Sequence, residues 1–211
     1  MLRLCSVNAA GVVRDEPFLT TSEANIDFTF NVNVSERFSR RYLKFAHNTV
    51  QFRGSFLVAQ ACANAMVSKL KETGKQPANI DTTSGAIVFI TSIATHISST
   101  AQKISCYAAS KAAVQGLVKP LAMELAEYGI RVNSLSPGYM MTDVMRGLQS
   151  QQPTLVAQFE KETMFGRIGD PDELKGAMLF LCSPASKWIT GQDLLVDGGA
   201  TSWKHPAVIS S

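Results

Sequence analysis

Cysteine and histidine are scarce in this chain, and they are scattered. Cys5, Cys62, Cys106 and Cys182 show no C-x-x-C spacing, and His47, His96 and His205 do not cluster. That distribution argues against structural zinc or any other metal site and against a disulfide framework, leaving isolated thiols as the expectation. Long apolar runs are missing too. None approaches the roughly 18 residues that span a bilayer, and the opening MLRLCSV is too short for a secretory hydrophobic region. A soluble cytoplasmic protein with no membrane partner is expected.

A broad charge imbalance is also absent. The net charge is +3, and Arg37, Arg40, Arg41 and Lys44 against the single acid Glu36 account for all of it. A basic stretch confined to Val34–Gln51 reads as a solvated or disordered insertion rather than a nucleic-acid surface, so no nucleic-acid partner is expected. What is present suits folding. With 211 residues, 45% of them hydrophobic and 18% charged, the chain fits one globular domain with a sizeable core. No internal repeat, low-complexity tract or second domain interrupts it.

The pattern of elements alternates. SGAIVFITS, Ser84 to Ser92, is a short β-branched apolar run that reads as a buried strand, and GIRVNSLSPG, Gly129 to Gly138, reads as a second. Between them, apolar Val114, Leu117, Leu121 and Leu125 fall at helical spacing to about Tyr128, with Gly129 as terminator and Pro120 expected to kink the helix. Strand, helix, strand of this length is a parallel crossover. Asp170, Pro171 and Glu173 spell an N-cap, a first helical position and a capping box, so a helix is predicted to begin there. QDLLVDGG, Gln192 to Gly199, reads as a final strand, and LCSVNAAG as the end of an early one. Helices are also predicted after Ser22 through Phe30 and over Arg53–Leu70.

On the helix that begins near CYAASKAAV, Tyr107 and Lys111 stand four residues apart, which places a phenol and an ammonium on one face. A nearby positive charge favours a phenolate, so the pair could exchange a proton near neutral pH. Alone, Y-x-x-x-K is a weak pattern, and a solvated Tyr and Lys explain it as well.

Company decides the matter. NAAG at Asn8 to Gly11, NVN at Asn31 to Asn33, the strand ending in Thr91-Ser92, YAASK at Tyr107 to Lys111 and SPGYMMT at Ser136 to Thr142 stand in one order. Together with the closing GRIGDPDELKGAMLFLCSPASKWITGQDLLVDGG, they resemble the short-chain dehydrogenase/reductase family over nearly the whole chain, most of all its sugar-alcohol and ketose branch. The resemblance implies an α/β, Rossmann-like, doubly wound parallel sheet. It also implies an NAD(P)-dependent enzyme interconverting an alcohol and a ketone or aldehyde, with NADP or NAD as cofactor and a small-molecule alcohol or carbonyl substrate. A homo-oligomer, tetramer or dimer, is implied as well.

Roles follow residue by residue from that resemblance. Tyr107 would pass the proton, Lys111 would lower the Tyr107 pKa and hold the nicotinamide ribose, and Ser92 would hydrogen-bond the carbonyl oxygen. Asn33 would be the fourth catalytic member, shaping its helix so that a water chain reaches Lys111; a helix C-cap is an equal reading of that residue. Pro137, Gly138, Met140 and Thr142 would hold the nicotinamide end, and Asn8 and Gly11 the adenosine and ribose. His96 could face substrate or simply be solvated. The pairs Met140-Met141 and Met164-Phe165 read as pocket or core filling.

Two departures from the family pattern stand out. No G-x-x-x-G-x-G or G-x-G-x-x-G precedes NAAG, so by that pattern the first three strands and their helices, with the glycine-rich phosphate grip, are lacking. One partial domain over residues 1–211 is expected, probed best by reading the DNA upstream of Met1. The second departure is Val34–Gln51, lying where the family runs almost directly from N-V-N into an apolar helix. The block opens Val-Ser, which GTGAGT can encode, and closes with Gln, which CAG can encode. A retained intron is the expectation and a functional loop the alternative. A catalytically silent relative serving as an interaction subunit is the competing reading of the whole chain.

Overall fold

The computed structural model describes residues 4–8, 21–22, 50–74 and 84–203. Within them, four strands form one parallel sheet in sequence order: β1 (Leu4–Asn8), β2 (Gly85–Ile90), β3 (Ile130–Pro137) and β4 (Asp193–Val196). Register runs Val7 to Val88, Val88 to Asn133 and Leu135 to Leu194. Six α-helices are described: α1 (Val50–Glu72), α2 (Ser105–Gln115), α3 (Val118–Leu125), α4 (Asp143–Gln151), α5 (Pro153–Lys161) and α6 (Leu174–Cys182).

Both faces of the sheet are covered, as an all-parallel sheet requires. Ile87, Phe89, Ile130 and Val132 point to one side and pack with Ala59, Ala63 and Met66 of α1, Val114 of α2 and Val118 of α3. Val88 and Leu135 point to the other side, onto Leu181 of α6. This is the Rossmann-like, doubly wound arrangement that the sequence predicts, in the form of a partial sheet.

Local signals explain most boundaries. Asp170 accepts from the Asp172 amide at 2.8 Å while its own amide donates to Glu173 at 2.7 Å, closing the expected capping box ahead of α6. Arg167 then clasps Glu173 with two bonds of 2.7 and 2.8 Å, holding that carboxyl down at about 2. Gly129, at φ 64°, ends the short turn Ala126–Tyr128 in the left-handed region.

One helix differs from its expectation. A continuous helix kinked at Pro120 is replaced by α2 and α3, separated at Gly116 and Leu117. Pro120 cannot donate to the carbonyl four residues back, and its ring crowds that carbonyl, so the rupture falls one turn upstream of the proline. There Leu117 bonds to Val114 at 3.1 Å instead. The cysteine expectation needs a similar correction: Cys62 and Cys106 take no part in a disulfide, but Cys182 is disulfide-bonded. Among the described residues, no helix is long and apolar enough to cross a membrane and no metal-binding cluster occurs.

Asn33, Gly11 and the helix predicted after Ser22 lie outside the described residues. The block Val34–Gln51 does too, apart from Val50 and Gln51, which open α1.

Candidate active site

Parallel strands deliver their C-terminal ends to one edge, and the candidate residues meet there. Ser92 lies two residues beyond β2, with its hydroxyl capping the short turn Ile93–Thr95. Pro137 ends β3, Gly138 follows it, and β2 and β3 are neighbours. Helix α2 crosses behind them and brings Tyr107 and Lys111. Ser92, Tyr107, Gly138, Tyr139, Met140 and Met145 share the walls of one cleft of about 160 Å³.

Lys111 is 5% exposed, an unusual burial for an ammonium. Its Nζ donates to the Ile90 carbonyl at 3.1 Å and stands 5.9 Å from the Tyr107 ring centre. Burial lowers its pKa from 10.5 to about 8. The Tyr107 phenol moves opposite to expectation. Burial raises it, and the bond with the Ser92 hydroxyl draws it only partly back. Desolvation is thus the larger influence on this phenol and the Ser92 bond the smaller.

Gly138 is needed for its missing side chain. A Cβ there would lie 2.6 Å from Cα and 3.1 Å from the carbonyl oxygen of Asp197, so the turn can sit directly on the chain leaving β4. Thr142 caps α4 by accepting from the Met145 amide at 3.3 Å. Met140 lines the cleft and packs against Gly169, whereas Met141 joins the Val156–Phe159 cluster. Asn8 ends β1 opposite Phe89, at the same edge of the sheet. Met164 and Phe165 are 52% and 74% exposed, so they fill no core; Phe165 lines a neighbouring pocket.

His96 is held at the sheet edge by a carboxylate. Its Nε2 meets the Asp193 carboxylate at 2.6 Å, and Gln115 reaches both at 3.1 Å. Asp193 also accepts from Ser134 at 2.6 Å and Ser136 at 2.8 Å, with Thr91 at 3.4 Å. One carboxylate thus ties the ends of β2, β3 and β4 to the helix that carries Lys111. Sequence reading missed this hub. Its signals were an aspartate opening an apolar final strand and serines at alternate positions of β3.

A second cluster was missed beside the cleft. Glu162, 1% exposed, accepts from the Tyr139 hydroxyl at 2.6 Å and from the Ser99 hydroxyl at 2.8 Å. Tyr139 stacks on Phe159 at 4.5 Å, and burial together with Glu162 pushes its phenol well above the usual range.

With this geometry in view, the likeness to known proteins is informative. The family model described as enoyl-(acyl carrier protein) reductase matches residues 39–201. The chain is 35% identical over 197 residues to galactitol 2-dehydrogenase (L-tagatose-forming) of Cereibacter sphaeroides, covering 93% of this chain and 65% of that protein. A sorbose reductase of Schizosaccharomyces pombe is 39% identical over 153 residues, 72% of this chain and 53% of that one. The chain therefore spans between about half and two-thirds of the length of these relatives. Among solved structures, a gluconate 5-dehydrogenase from Burkholderia cenocepacia, in complex with NADP and tartrate, superposes with a TM-score of 0.74 at 32% identity, covering 95% of this chain and 65% of that one.

Proposed function

The chain belongs to the short-chain dehydrogenase/reductase family, and from that premise we propose that it serves an NAD(P)-dependent oxidoreductase interconverting a polyol and a ketose. The observation that carries the reading is the meeting of Ser92, Tyr107 and Lys111 beside the Pro137-Gly138 turn at one sheet edge. Three independent stretches of sequence supply these groups, so chance pairing along one helix does not account for them. The polyol and ketose assignment is supported by the names of the curated relatives.

The residues present fit the nicotinamide end of such a cofactor. Tyr107 and Lys111 offer a phenol and an ammonium side by side, Gly138 leaves bare backbone in the cleft wall, and Thr142 places a hydroxyl at the start of α4. Met140 lines the same wall, and Asn8 and Gly11 would lie toward the adenosine end. When bound, the nicotinamide accepts or supplies the hydride exchanged with the substrate carbon.

The protein's own work is proton handling and orientation. In reduction, Tyr107 gives its phenolic proton to the substrate oxygen, the protonation state that its raised pKa favours; in oxidation its phenolate takes that proton back as the carbonyl forms. Ser92, bonded to the same phenol, steadies the substrate oxygen while charge develops on it. Lys111, with its ammonium against the Tyr107 ring, holds the cofactor ribose, and Asn33 would complete the proton route behind it. A dimer or tetramer belongs to the same reading, supported by the exposure of Leu179 and Trp188 at 71% and 84%.

The test is Tyr107→Phe in the chain extended to the relatives' full length. The ring and its packing remain while the proton is lost, so turnover of a polyol such as galactitol is expected to fall by about a hundredfold or more. Near-normal turnover would remove Tyr107 from the mechanism.

A further inference from the structure

The far wall of the cleft carries two hydroxyls whose protons are already committed. Tyr139 follows directly on Gly138, and Ser99 lies on the loop after the Ser92 turn; both line the cleft with Ser92 and Tyr107. Tyr139 donates to one oxygen of Glu162 and Ser99 donates to the other. Gln158 approaches the second oxygen at 3.4 Å, and the Trp203 indole fixes the Glu162 backbone carbonyl at 3.0 Å. A hydroxyl has one proton and two lone pairs, and a carboxylate only accepts. With its proton directed to Glu162 and the Ser99 hydroxyl bonded beside it, the Tyr139 phenol keeps a lone pair for anything else that approaches. One of the Ser99 pairs is taken by the Ala101 amide at 2.9 Å.

We propose that Glu162 is a specificity-determining positioning residue that turns this wall into an acceptor-only surface, selecting neutral polyhydroxy substrates over sugar acids. A polyol hydroxyl has a proton to give to each lone pair. A substrate carboxylate brings only acceptors, and it would surrender its hydration to face others. The stacking of Tyr139 on Phe159 and the burial of Glu162 keep the phenol from swinging to a different partner. A site that hydrogen-bonds one class of group rejects the analogue that cannot answer it.

The inference rests on the oxidoreductase reading for its substrate class, so its test is a binding measurement that needs no turnover. Saturation-transfer NMR on the 211-residue chain would compare galactitol with D-gluconate, for the unaltered chain, Glu162→Gln and Tyr139→Phe. The unaltered chain is expected to bind galactitol at least about tenfold more tightly than gluconate. Glu162→Gln, whose amide donates where the carboxylate accepted, is expected to narrow that ratio at least about threefold. Tyr139→Phe is expected to weaken galactitol and leave gluconate unchanged, whereas damage to the fold would weaken both. Equal binding, a gluconate preference, no binding of either sugar, or a ratio untouched in both variants would overturn the proposal. Selective binding without Tyr107-dependent turnover would instead sink the oxidoreductase reading and leave this inference standing.

Discussion

Lys111 shows how far a residue's placement governs its chemistry. The motif spacing was legible in the sequence because a four-residue interval fixes a shared helical face. The environment was not, because burial depends on β2 and on the chain beyond it. The ammonium therefore carries a cost, and its pKa falls to about 8 from 10.5. Below about 8 the folded and unfolded chains both hold the proton, and the full cost is present. Between about 8 and 10.5 the folded chain has released the proton and the unfolded chain keeps it, so stability rises with pH across that window. The whole rise corresponds to roughly 3 kcal/mol. Lys111→Met is expected to abolish it. Urea midpoints at pH 7.5 and 10 check this, and equal slopes in both proteins would show that Lys111 is not the group responsible.

At the scale of elements, joins are harder to foresee than the elements themselves. Strands β2, β3 and β4 and the capping box at Asp170 follow from local signals, and each is found within a few residues of its expected place. The rupture between α2 and α3 sits a turn away from the proline that causes it, because the crowded carbonyl belongs to Gly116. Asp193 is the extreme case. Its partners come from Thr91, His96, Gln115, Ser134 and Ser136, and only the folded sheet makes them neighbours. Removing the carboxylate leaves the buried Ser134 hydroxyl short of an acceptor and forces the Ser136 hydroxyl onto Thr91, 2.7 Å away. Asp193→Ala is expected to cost about 2–3 kcal/mol, with Asp193→Asn intermediate. Denaturation at pH 7 measures it, and a loss under about 0.5 kcal/mol would place the hub among ordinary surface contacts.

For the whole molecule, the two ends of a dinucleotide make unequal demands on this chain. The proposed catalytic groups Ser92, Tyr107 and Lys111 meet at one sheet edge, with Gly138 packed on Asp197. The pyrophosphate, by contrast, calls for backbone amides at a glycine-rich turn opening a helix, and the sequence contains neither G-x-x-x-G-x-G nor G-x-G-x-x-G. Thr142 and Lys111 reach only the nicotinamide half in the proposed arrangement. Holding half of a ligand still costs most of its lost translational and rotational freedom, so much of the affinity is forfeited. The purified 211-residue chain is therefore expected to show no saturable NADPH binding at micromolar concentrations. Joining it to a strand, glycine-rich turn and helix of the dinucleotide-binding pattern should confer binding. Titration of nicotinamide fluorescence against monodisperse protein distinguishes the two. Tight, stoichiometric binding by the chain alone would mean that its own residues rebuild a phosphate grip, and the division of labour argued from Gly138, Thr142 and Lys111 would have to be redrawn.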